Sequence, residues 1–187
     1  SIFEYIDSQS EPLHIFVKNI NPYLLAWKDN FITKRRTPIM KVPEMIKWSM
    51  PNDGGFYLFD KQEKELFIKQ EPNAEKYFRR FIWWYEFLNN VERWCLWLLN
   101  ADPSDLKHLN LVLDRVQKVR ELRLLSKREM TRKGAETPTL FWEIRQPNTS
   151  FLALPEVSSE NRKYIPIGYV SKDFIASNKI YMIPDAN

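Results

Sequence analysis

The sequence predicts an α+β fold: a mixed or antiparallel β-sheet core with a long basic amphipathic helix and a smaller helical part. Three observations lead there. Short apolar runs bounded by Gly, Pro, Asn and Ser occur before residue 60 and again after Gly134, as strands separated by turns do. Between 103 and 128, Leu109, Val112, Leu113, Val116, Val119 and Leu122 return at three- and four-residue spacing, the period of one helix face. Hydrophobic residues at 44% and charged residues at 28% give the composition of an ordinary globular protein.

The elements follow in order. Residues 1–20 mix Phe3, Tyr5, Ile6 and Leu13 with acids and read as extended, with strand character over 14–17 and a turn at Asn21-Pro22. From 27 to 48, basic residues and prolines such as Lys34-Arg35-Arg36-Thr37-Pro38 suit a connector laid over a folded body. Pro51-Asn52-Asp53-Gly54-Gly55 is the sharpest turn, and a strand leaves it over 56–59. Asp60 is placed to cap a helix over 61–71, which Pro72-Asn73 breaks. Asn73 then caps a second helix over 74–87, where Tyr77, Phe78, Phe81, Ile82 and Tyr85 recur at helical spacing. Residues 93–99 read as a buried strand. Asp102-Pro103 opens the long helix over 103–128, since Pro at the first helical position lacks only an N–H that has no partner there. Strands over 140–144, 151–154, 163–170 and 179–183 complete the chain, with no internal repeat or low-complexity segment.

Size and charge bound the function. The 187 residues suffice for one core, or one core with a helical annex. No apolar run has the length of a membrane span, and the opening residues do not read as a leader. The chain starts in mid-pattern at Ser1 and stops at Asn187 without a finishing element, as a piece of a longer polypeptide would. Cys95 is the single cysteine, so neither an internal disulfide nor the usual four-ligand zinc site is expected. Its place in Trp94-Cys95-Leu96-Trp97 predicts a buried, inert thiol, and a cytoplasmic setting fits. A net charge of +4 is modest, but its distribution is uneven.

Across 115–133 there are eight basic residues against two acidic ones, Glu121 and Glu129. Such a face serves either solubility or the neutralisation of several phosphates; the scarcity of interleaved acids distinguishes it from an ordinary ion-paired surface. The phosphate candidates are Arg120, Arg123, Lys127, Arg128, Arg132 and Lys133. Two later segments carry side chains suited to base edges. In 143–150, Arg145 can fork onto guanine, while Gln146 or Asn148 can pair with adenine at two points. The plainer reading of that segment is a polar strand end with an internal Glu143–Arg145 pair. In 157–164, Ser158, Ser159, Glu160, Arg162 and Lys163 form a dense polar loop, either a hairpin tip or a groove-entering loop.

Catalytic patterns are weak or missing. The sequence holds no Asn/Asp-Pro-Pro-Tyr/Phe tetrapeptide for amino-group methylation and no glycine-rich cofactor loop. His14 and His108 lack neighbouring ligand sets, and acidic pairs near Lys64 and Lys76 match nuclease spacing only by chance. No catalytic or metal-binding residue is therefore assigned. Trp83, Trp84, Trp94 and Trp97 lie in apolar runs and read as core.

Several strings, taken in order, carry a family resemblance: Asn19-Ile20-Asn21-Pro22-Tyr23-Leu24, Pro51-Asn52-Asp53-Gly54-Gly55, Glu92-Arg93-Trp94-Cys95-Leu96-Trp97-Leu98, Glu143-Ile144-Arg145-Gln146-Pro147 and Val157-Ser158-Ser159-Glu160-Asn161-Arg162-Lys163-Tyr164-Ile165-Pro166-Ile167-Gly168-Tyr169. Together they resemble the target-recognition region of MmeI-like type II restriction–modification enzymes, single-chain DNA methyltransferase–endonucleases. Asn161 departs from the family's usual Arg, and Phe56-Tyr57 from its commoner Asn-Leu, which bears on the DNA sequence read.

The resemblance implies that 1–18 is the junction from a preceding methyltransferase domain and that 19–187 is a double-stranded DNA target-recognition domain. It implies a non-catalytic role for this piece, with S-adenosylmethionine and magnesium used by the parent's methyltransferase and nuclease domains. Those domains and DNA are the expected partners, with no membrane. A small nuclease and a protein-interaction scaffold are the rival readings.

Overall fold

The computed structural model describes residues 1–7, 9–29 and 33–185, so Asn30, Phe31 and Ile32 of the expected connector lie outside the described residues. The chain divides into two compact units, Ser1–Val42 and Pro43–Asn187. The first contains a two-stranded antiparallel ribbon, β1 (Ile2–Glu4) with β2 (Leu13–Ile15), in which Phe3 pairs with His14. Asn21 organises the turn that follows, its side-chain oxygen accepting from the N–H groups of Tyr23 and Leu25 at 3.0 Å each.

The second unit is α+β, as its sequence pattern requires, with two sheets. The larger combines β3 (Leu58–Asp60), β4 (Phe78–Ile82), β5 (Arg93–Leu96) and β8 (Phe174–Ala176) in the order β3-β5-β4-β8. Its pairs are antiparallel except β4 with β8, which run parallel and bring the C-terminal part of the chain into the central sheet. The smaller sheet, order β7-β6-β9, is antiparallel and built from β6 (Phe151–Pro155), β7 (Gly168–Val170) and β9 (Ile180–Pro184).

Local chemistry explains much of this. Gly54 and Gly55 take φ of 65° and 89°, conformations that L side chains resist, so the chain reverses where the sequence places its glycine pair. Asp53 is buried there and accepts from the N–H groups of Gly55 and Tyr57. Helix α1 (Lys61–Gln70) opens on a reciprocal cap, with Asp60 accepting from the Glu63 N–H and Glu63 accepting from the Asp60 N–H. Phe59, Phe67 and Phe78 then meet edge to face at 5.0–5.7 Å, joining α1 to β3 and β4 in the main core. A second cluster forms around the small sheet from Phe151, Ala153, Val170, Ile180 and Met182, with Ile82 and Ala176 of the larger sheet.

Several sequence expectations are corrected. The helix over 74–87 is instead a 3-10 turn (Pro72–Tyr77), strand β4 and a short helix α2 (Trp84–Asn89). Phe78, Phe81 and Ile82 satisfy helical spacing, but β4 lies hydrogen-bonded between β5 and β8, and Arg79 and Arg80 interrupt its apolar residues so that no strand alternation shows in the sequence. The long basic helix is broken into α3 (Pro103–Leu106), α4 (Asn110–Leu124) and α5 (Glu129–Lys133). Asp102 caps α3 as expected, but Leu109 leaves helical geometry at φ −108°, ψ 81°. The start of α4 is held from a distance, both oxygens of Glu71 accepting from the N–H groups of Leu111 and Val112 at 3.0 Å.

The apolar stripe of α4 is also narrower than expected, because Leu113 and Leu122 are exposed while Val112, Val116 and Val119 are buried. The strand over 140–144 reduces to one bridge, Glu143 with Met50. The strand over 163–170 is ordered as β only at Gly168–Val170, and the strands expected at 56–59 and 93–99 are present as Leu58–Asp60 and Arg93–Leu96. Strand β8 had no sequence expectation. The end of the connector does lie along the body: Ile46 bridges Met182, and Ser49 N–H donates to the Ala176 carbonyl. Among the described residues no helix is long and apolar enough to cross a membrane.

Candidate nucleic-acid interface

The polar loop between β6 and β7 presents its side chains to solvent, with 156–165 exposed throughout. The small sheet fixes where it starts and ends. At its start, Glu156 N–H donates to the Lys179 carbonyl at 2.8 Å, and the Lys179 ammonium pairs with the Glu156 carboxylate at 2.8 Å. That contact holds the Glu156 carboxyl below the usual carboxylate range, against a smaller opposing effect of burial. At its end stands Gly168, where a Cβ would come within 2.9 Å of the tip of the Phe87 ring, so a larger residue there would displace that ring. Between these anchors, a turn is closed by the Arg162 N–H on the Ser159 carbonyl and the Asn161 N–H on the Ser159 hydroxyl.

Ser158, Ser159 and Arg162 border a cavity of about 370 Å3 together with Trp83, Trp84, Leu88, Val157 and Lys179. Trp83 and Trp84 meet nearly edge to face at 5.9 Å. Their placement beside the loop was not legible, because an apolar run reads as core whichever wall it forms; Lys179 carried no signal beyond a strand start. Glu160, Arg162 and Lys163 have no ion-pair partner among the described residues. A loop of hydroxyls, a carboxylate and unpaired cations offers donors and acceptors of the kinds base edges require.

The 143–150 segment divides. Arg145 is exposed and pairs with Glu143 at 2.9 Å, the plainer arrangement the sequence allowed, while its N–H donates to the fully buried Ser49 hydroxyl. Asn148 is exposed. Gln146 is different: its amide nitrogen donates to the carbonyls of Lys172 and Phe174 at 2.8 and 2.9 Å, and its oxygen is buried. Its amide N–H groups tie this segment to the approach of β8 instead of being held out for a base edge.

The cations of α4 and α5 divide as well. Arg120, Lys127 and Arg128 are exposed. Arg132 donates to the carbonyls of Ser126 and Lys127, and Lys133 pairs with Glu129, but both remain exposed. Arg123 is 1% exposed. Its guanidinium donates to five carbonyls, those of Pro51, Asn52, Gly134, Thr137 and Leu140, at 2.8–3.2 Å. Burial lowers its pKa, and the nearby Tyr57 and Asp53 oppose that shift. A guanidinium so enclosed cannot meet a phosphate, so Arg123 leaves the phosphate set and becomes the tie between α4, the glycine turn and the 134–140 segment. The α4–α5 cations and the 156–167 loop adjoin different apolar clusters, and no hydrogen bond joins them among the described residues.

Comparison with known proteins gives this arrangement a context. Residues 26–187 match the family described as "MmeI, target recognition domain". The chain is 38% identical over 170 residues to DNA methyltransferase A of Bacillus subtilis (strain 168), a match covering 91% of this chain and 19% of that protein. A solved structure of the type IIL restriction–modification enzyme MmeI in complex with DNA aligns at TM-score 0.83 and 50% identity, covering 99% of this chain and 25% of that one. The chain thus spans about a fifth to a quarter of the length of these relatives. With a family match over most of its length and an α+β architecture shared with MmeI, the chain belongs to the MmeI target-recognition-domain family.

Proposed function

We propose that this chain is the sequence-specific, double-stranded DNA recognition domain of a restriction–modification enzyme that methylates adenine at N6. The observation that carries this reading is its 50% identity, over 99% of its length, to a protein solved in complex with DNA. The cations Arg120, Lys127, Arg128, Arg132 and Lys133 hold phosphates, which set register without carrying sequence information. Arg145, Asn148, Ser158, Ser159, Glu160, Arg162 and Lys163 face base edges in the major groove, where each base pair presents a distinct pattern of donors and acceptors.

Chemistry belongs to the rest of the polypeptide, which acts in the cytoplasm. This domain positions the methyltransferase pocket over one adenine, which is extruded from the duplex to be reached. S-adenosylmethionine supplies the methyl group and magnesium serves the nuclease, but the residues here suit neither. There is no glycine-rich cofactor loop, and the described residues contain no group of three or more His, Cys, Asp or Glu side chains able to hold a metal.

The test is to express the full-length polypeptide in cells lacking other adenine methylation and map N6-methyladenine across the genome. Modification confined to one short sequence is expected. Absent or sequence-independent methylation overturns the reading.

A further inference from the structure

The described residues of 1–42 contain a strand pair and side-chain-capped turns but no buried apolar side chain. Among their described residues only Asn21 is buried, and it is polar. Large apolar side chains are instead presented to solvent: Ile6 is 93% exposed, Phe16 83%, Ile39 80%, Leu24 75%, Met40 74% and Trp27 67%. At the ribbon Phe3 stacks on His14 at 4.7 Å and 10°, and His14 lies 4.3 Å from Phe16. A two-stranded ribbon is marginal in water by itself, and a segment of this size seldom folds without outside support. Exposed apolar surface on this scale marks an interface.

We propose that the apolar face of residues 1–42 docks onto another domain of the same, longer polypeptide and completes its core there. The inference rests on the reading above that the chain is one domain of a larger enzyme. One observation selects this occupant: the matched relatives are four to five times longer than the stretch they share with this chain. The chemistry agrees, because an aromatic and aliphatic face matches an apolar protein surface, whereas phosphates require cations.

Hydroxyl-radical footprinting of the full-length protein tests this, with each residue referred to the same protein in denaturant. Loss of labelling at Phe16, Trp27 and Met40 is expected in the native protein without DNA and at every concentration. Labelling equal to that in denaturant overturns the proposal. Protection that disappears on dilution assigns the face to a second copy, and protection that needs added duplex assigns it to DNA; either result also overturns it. Because the measurement is made without DNA, a protein that is protected but shows no site-specific methylation would refute only the DNA-recognition reading.

Discussion

Arg123 and Leu140 are joined by a 2.8 Å hydrogen bond from guanidinium to carbonyl, one of five through which a charged side chain on α4 organises two loops. Replacing Arg123 with Ala should destabilise the protein by about 3–5 kcal/mol, because several buried carbonyls each lose a donor worth about 1–3 kcal/mol. Arg123→Lys should recover only part of this, since an ammonium cannot reproduce the planar fork. Arg120→Ala, on the exposed side, should stay within about 0.5 kcal/mol of the parent. Thermal and urea unfolding followed by circular dichroism decides it; equal effects at 120 and 123 would refute the structural role of Arg123.

The hydrogen bonds of Gln146 make a second prediction. Gln146→Ala should cost about 0.5–1.5 kcal/mol of stability, the net worth of an ordinary hydrogen bond, by removing the donor to the Lys172 and Phe174 carbonyls, and should leave the methylated sequence unchanged. Asn148→Ala should do the reverse, preserving stability while relaxing discrimination at one base pair by about 1–3 kcal/mol. Unfolding curves paired with methylation-site sequencing separate the two. An altered site in the Gln146 variant would restore it to the reading surface.

Glu160 and Arg162 share one exposed turn and have no ion-pair partners among the described residues. A carboxylate accepts from cytosine N4 and a guanidinium donates to guanine O6 and N7. Glu160→Lys combined with Arg162→Asp in the full-length protein should therefore change the preferred base at one position while methylation continues. Sequencing of methylated sites reads the outcome; an active variant with an unchanged site removes both residues from base reading.

Arg120, Lys127 and Arg128 should act on every duplex alike. Changing all three to Ala should weaken binding regardless of sequence and reduce the magnitude of the log–log salt slope by roughly 0.9 for each phosphate that is no longer neutralised. Fluorescence anisotropy of the full-length protein, titrated at several salt concentrations with specific and random duplexes, supplies the slope. If it does not change, these cations lie away from DNA.

The sequence was legible where local chemistry decides structure. Asp60 as a cap, Asp102 with Pro103, the Gly54-Gly55 turn and the apolar runs of β6 and β9 all lie where their patterns place them. It was opaque where distant partners decide. Phe78–Ile82 is a strand because β5 and β8 flank it, and α4 starts at Asn110 because a carboxylate 40 and 41 residues earlier in the chain meets its first N–H groups. The site followed the same division. The exposed 157–164 loop was visible as an unbroken polar run between apolar ones, whereas no spacing rule separates Arg123, enclosed by carbonyls, from Arg120 in solvent.

The loop between β6 and β7 touches solvent along its whole polar length, while its two ends are secured by Lys179 and by the close approach of Gly168 to Phe87. Natural selection therefore meets two nearly independent traits in one short stretch. Codons for the ends and for the turn-closing Ser159 are constrained by folding, whereas those for Glu160, Arg162 and Lys163 can drift with little penalty in stability. On the proposed reading of this loop, a lineage carrying the domain explores new DNA addresses one point mutation at a time, without passing through unfolded ancestors.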